Sequence, residues 1–217
     1  MPLSIMIRTD FSTSYYRDIF FELLNVDEIT KIQIVSGFFS DFVDKISEKN
    51  LDLAFSDEVK KKQVYLLGGR ESQYQKMIKL KSSFKKKGLN VELYKSPIPG
   101  KGDPEVIWHA KIILFHDNDG PVLAIVGSSN FTSPSMFGMS DYEITKPEFV
   151  QAEGDSIYWL KSKSEIDGAV HAAFNKWANG IVKPNVYFDK ASSDEEFERM
   201  LEDLETNLNK SFTKNFV

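Results

Sequence analysis

Apolar positions recur along this chain with two periods, and the switches between them divide it into elements. Residues 14–24 (SYYRDIFFELL) set Tyr16, Ile19, Phe20, Leu23 and Leu24 on one face at helical spacing, which predicts an amphipathic helix. KIQIVSGFF, 31–39, is an apolar, β-branched run and predicts a buried strand. A helix is expected over 40–54, then a second buried strand, QVYLLGG (63–69), closed by two glycines. Residues 71–87 read as a Lys-rich helix with Tyr74, Met77, Ile78 and Phe84 as core contacts, and VELYKS (91–96) as a third strand. PIPGKGDPE (97–105) is a loop by its prolines and glycines. Two more strands, 106–115 and 121–130, flank the turn signal HDNDG. A short strand (YEIT, 142–145), a helix over 164–178 begun by Ser164, and an acidic helix near 192–208 complete the pattern. Buried strands alternating with helices predict an α/β layered domain with a mixed central sheet.

Composition narrows the class. With 217 residues, 41% of them hydrophobic, the chain can build one well-cored domain with an appendage. There is no cysteine, so disulfides, thiolate nucleophiles and Cys-bound metals are excluded. No stretch approaches the about 18 apolar residues of a membrane span. The first residues lack the layout of a signal peptide, so a soluble, cytoplasmic protein is expected. The net charge of −5 is unevenly spread. DEEFERMLEDLE (194–205) holds seven acidic residues and one Arg, and the rest of the chain is near neutral. Basic clusters stand at Lys60–Lys62 and at Lys76, Lys79, Lys81 and Lys85–Lys87, where they offer contacts to phosphates. The acidic helix is set off from the body and reads as peripheral, giving a domain over 1–190 and a helix or linker over 191–217.

The chemistry concentrates in WHAKIILFHDNDGPVLAIVGSSNFT, 108–132. On a strand, residues i and i+2 share a face, so His109 and Lys111 project side by side, with Ala110, Ile112 and Leu114 opposite. An imidazole beside an ammonium suits attack on a phosphate whose oxygens the cation neutralises. The return strand brings Gly127, Ser128 and Asn130 to the same end of the sheet. Ser128 and Asn130 offer hydroxyl and amide groups to phosphate oxygens, and Gly127 permits close backbone approach. Arg70 and Ser36, at the ends of other strands, are candidates for the rim of the site, where α/β sites gather. No carboxylate cluster or paired-His motif suggests a metal site, and no cofactor is expected. His116 reads as a surface residue at the hairpin edge and His171 as a structural residue on a helix.

His109-Ala110-Lys111 followed by Gly127-Ser128-Ser129-Asn130 resembles the paired motif of the phospholipase D superfamily. The resemblance is specific over about 105–132 and extends by element order over about 30–180. Many members carry Asp five residues after the Lys, where this chain has His116. The resemblance implies a phospholipase D-like α-β-α domain and a metal-independent phosphodiesterase working through a covalent phosphohistidine. It also implies a downstream acid that orients the histidine, for which Glu143 is the candidate. The family's active site takes two copies of the motif and this chain has one, so a homodimer sharing a single site is implied. The closest likeness is to metal-independent restriction endonucleases of the BfiI and NgoFVII type, with double-stranded DNA as substrate. That likeness would make 1–190 the catalytic domain and place a DNA-recognition domain beyond the acidic helix. The competing readings are a phospholipid or small-diester hydrolase of the same superfamily, which would want a lipid-docking surface, and a non-catalytic dimer scaffold, which would have lost His, Lys or Asn.

Overall fold

A computed structural model describes residues 3–8, 15–48, 56–68, 71–95, 110–137, 153–178, 198–199, 201–202, 205–206, 209 and 213–214. Eight strands form one sheet: β1 (Leu3–Arg8), β2 (Lys31–Ser36), β3 (Gln63–Gly68), β4 (Asn90–Lys95), β5 (Lys111–His116), β6 (Pro121–Gly127), β7 (Glu153–Trp159) and β8 (Thr213–Lys214). Their spatial order is β1-β7-β6-β5-β2-β3-β4-β8. β2, β3 and β4 run parallel, and every other pairing is antiparallel. The parallel strands need crossovers, which carry the helices α2 (Val43–Glu48), α3 (Asp57–Lys60) and α4 (Tyr74–Lys86). The tight HDNDG turn joins β5 to β6, with Gly120 at φ 155° and the Asp117 carboxylate accepting from the Asp119 and Gly120 N–H groups. The expected layered α/β domain with a mixed sheet is therefore present.

Period-2 alternation assigns each side chain to one of two faces. The first face carries Ile32, Ile34, Ile113, Phe115, Ile125, Leu123, Ile157 and Trp159, nearly all fully buried. Helices cover it. From α1 (Tyr15–Leu24), Phe20 meets Phe115 at 6.1 Å between ring centroids. Beyond the short α5 (Ser133–Phe137), Phe174 of α6 (Ser164–Ala178) meets Trp159 at 6.2 Å. From α4, Met77 covers Gly68, where an added Cβ would stand 2.3 Å from the Met77 sulfur. The second face is more polar, with Lys31, Gln33, Tyr65 and His116. Described residues of the C-terminal segment, Glu205 and Asn209 among them, lie against it. There Lys31 Nζ donates to Glu205 at 2.5 Å, Gln33 Nε2 donates to Asn209 Oδ1 at 3.0 Å, and Leu201 is 2% exposed.

Several expectations are corrected here. Of the acidic segment, read as peripheral, Leu201 is buried and Glu205 contacts the sheet, and β8 extends the sheet beside β4. His116, read as a surface residue, is 1% exposed, paired with Gln33 and facing Glu205. Strands β1 and β7 carry no sequence expectation, and the strand expected over 121–130 stops at Gly127. The expected strand YEIT lies outside the described residues.

Candidate active site

Strand register assembles the site. Gly127 pairs with Lys111 on one side and with Asp155 on the other. Val35 pairs with Ile112, so the next residue of β2, Ser36, stands level with Lys111. Ser36, Lys111, Gly127 and Asp155 thus occupy one row across four strands, on the helix-covered face. At about 4.8 Å per strand, Lys111 and Asp155 stand about 10 Å apart with a residue lacking a side chain between them. Lys111 is 8% exposed and Asp155 5%.

The glycine in that row has a different purpose from the one its sequence suggests. A Cβ on Gly127 would fall 2.1 Å from Asp155 Oδ1 and 2.4 Å from the Gly154 carbonyl. Gly127 therefore makes room for a protein carboxylate. Asp155 in turn holds the following turn: its Oδ1 accepts the Ser129 N–H at 3.1 Å and its Oδ2 accepts the Ser129 hydroxyl at 2.6 Å. Ser129, the unspecified position of the Gly-Ser-x-Asn string, is 2% exposed and anchors the loop.

The rest of the loop is fixed at three more points. The Ser128 N–H donates to the Gly154 carbonyl at 3.0 Å, and the Gly154 N–H donates back to Ser128 Oγ at 2.9 Å. Ser36 Oγ accepts the Phe131 N–H at 3.0 Å, donates to the Phe38 carbonyl at 2.6 Å and lies 3.4 Å from Asn130 Oδ1. Ser36 is 2% exposed, so it sits under Asn130 and supports it from within. Phe131 bridges to Phe39 and stacks edge-on against Phe20, Phe39 and Phe42 at centroid distances of 5.3, 6.3 and 5.1 Å. A fully buried ring next to Asn130 thus locks the loop on the aromatic core, while Ser128 stays exposed and Asn130 half-buried.

Of the sequence candidates, the fold brings together Lys111, Gly127, Ser128, Asn130 and Ser36. His109, Arg70 and Glu143 lie outside the described residues. Sequence reasoning missed Asp155 and the anchoring role of Ser129. The signal for Ser129 was its place inside the motif; Asp155 had only an Asp near the start of an unrecognised strand. Among the described residues no group of three or more His, Asp or Glu side chains has the geometry of a metal site.

His116 stands at the far end of β5 from Lys111. Its Nε2 pairs with Gln33 Oε1 at 2.8 Å, and Nδ1 is 3.5 Å from Glu205 Oε1. Burial above all, and then the Lys31 charge, push its pKa down to about 3, against a smaller pull from Asp117. His171 lies on α6, with Nε2 3.6 Å from Asp167 and its ring edge-on to Trp159.

No family model matches the chain, and no curated protein matches it. Among solved structures it is similar to polyphosphate kinase from Porphyromonas gingivalis (12% identity, TM-score 0.41), covering 86% of this chain but 27% of that one. It is similar to the phosphatidylserine synthase of Haemophilus influenzae Rd KW20 (11% identity, TM-score 0.45), covering 96% of this chain and 45% of that one. It is also similar to NucT from Helicobacter pylori (14% identity, TM-score 0.39), covering 78% of this chain and 96% of that one. The chain thus spans about a quarter of the kinase and just under half of the synthase.

Proposed function

We propose that this chain is a metal-independent phosphodiesterase acting on double-stranded DNA, the catalytic unit of a restriction endonuclease, working as a homodimer with one shared site. The observation that carries the reading is the row itself. Lys111, the Gly127–Asn130 loop and the buried Asp155 converge at one edge of one face, beside the chain position of His109. In the sequence His109 stands two residues before Lys111, as the His-x-Lys motif requires.

In this reading His109 attacks phosphorus: an N–P bond forms as the bond from phosphorus to the leaving oxygen breaks. His109 of the partner subunit gives its proton to that oxygen, then takes one from the water that displaces the enzyme nitrogen. Lys111 and Asn130 hold the non-bridging oxygens, with the Ser128 hydroxyl beside them, and stabilise the charge that builds there. The resemblance offers Glu143 for orienting His109, and Asp155 is a second carboxylate suited to that role. Asp155 is favoured because it is already buried in the row and rigidly held through Ser129. The test is plasmid cleavage in excess EDTA. Wild-type protein should cleave and His109→Ala should not; a strict need for added magnesium would overturn the mechanism.

A further inference from the structure

We propose that the solvent face of α4 binds the backbone phosphates of duplex DNA that flank the cleaved one. This rests on the DNA reading above and assigns it a surface. Sequence offered two lysine clusters, and the fold treats them differently. In the first, Lys60 pairs with Asp57 at 2.7 Å and Lys61 with Glu58 at 2.6 Å. Lys62 is 3% exposed and donates to the Val26 and Ile29 carbonyls, both at 2.6 Å. Two lysines of that cluster are thus neutralised by carboxylates of their own helix and the third is buried.

Five lysines of the second cluster differ. Six lysines lie between Ser72 and Val91 with no Asp or Glu among them. Among the described residues, Lys76, Lys79, Lys81, Lys85 and Lys86 form no ion pair with a carboxylate. Asp41 reaches the helix only at Ser83, whose hydroxyl donates to it. Met77, Leu80 and Phe84 take the buried side, which leaves Gln75, Lys76, Lys79, Ser82 and Lys86 turned to solvent. That face has no apolar side chain to enter a bilayer, so an anionic lipid surface fits it poorly.

Position ties the helix to the chemistry. Gln73, immediately before α4, accepts the Phe39 N–H at 3.3 Å, and Phe39 bridges to Phe131 beside Asn130. The lysines therefore begin at the site edge. From Lys76 to Lys86 they run about 15 Å at 1.5 Å per residue, the rise of roughly four base pairs.

The experiment compares Lys76→Gln/Lys79→Gln/Lys86→Gln with its parent, both carrying His109→Ala so that the duplex stays intact. Binding to a short fluorescent duplex is followed in EDTA across potassium chloride concentrations. Losing three phosphate contacts should lower the slope of log Kobs against log salt by about 2.7. Lys60→Gln/Lys61→Gln should leave the slope unchanged. An unchanged slope in the triple variant, an equal fall in the control, or a loss confined to phosphatidylserine vesicles would each overturn the assignment. Hydrolysis of bis(p-nitrophenyl) phosphate by wild-type protein in EDTA tests the catalytic reading separately. Hydrolysis with an unchanged slope would retire the surface alone; a lowered slope without hydrolysis would retire the chemistry alone.

Discussion

At the scale of single residues, the site is held by contacts that leave little slack. Gly127→Ala would drive a methyl group into the Asp155 carboxylate and the Gly154 carbonyl. Neither can retreat easily, one being fixed to Ser129 and the other a strand backbone group. The expected cost is about 3 kcal/mol, read as a fall in the urea midpoint; a neutral result would contradict the packing. Asp155→Asn keeps the shape and removes the charge. If Asp155 orients the catalytic imidazole, cleavage should drop by about 100-fold or more while the unfolding midpoint moves little. Equal loss of stability and activity would reduce Asp155 to a loop anchor.

His116 gives a pH signature. Its folded pKa, about 3, lies below the 6.5 of a free imidazole. Between those values the unfolded chain takes up a proton that the folded protein refuses. Stability should therefore fall as pH drops below about 6.5, by up to about 1.4 kcal/mol per unit, and level off near 3. Urea unfolding of wild type and His116→Gln at several pH values should differ by that slope. Parallel profiles would show that the buried imidazole is not the group responsible.

Elements were legible where their pattern was local. β5 reads from its unbroken apolar run, and α1, α4 and α6 from their amphipathic spacing; these form the centre of the sheet and the cover of its first face. β7 was not legible, because it begins Glu-Gly-Asp-Ser and its apolar residues start only at Ile157. Its partners lie more than twenty residues away, so the row that delivers Asp155 to Gly127 is a product of tertiary pairing. The same holds for the acidic segment. Its charges suggested solvent, yet Lys31, Gln33 and a buried Leu201 contact draw it onto the second face. Ending the chain at residue 190 should uncover Gln33 and His116 and remove the Leu201 contact. A loss of about 3 kcal/mol, or roughly 10 °C in melting temperature, is expected. An unchanged melting temperature would make the segment a dispensable tail.

For the whole molecule, the central claim is that one histidine of this chain carries the phosphoryl group during turnover. A dimer by sedimentation, with a fully active monomer absent, is its structural counterpart. The most direct measurement is mass spectrometry of peptides from protein quenched in mid-turnover on DNA, in EDTA and at alkaline pH, where a phosphoramidate survives. A nucleotide adduct is expected on the peptide containing His109, absent when Lys111→Ala or His109→Ala is used. Rapid cleavage under the same conditions with no adduct on that peptide would contradict it.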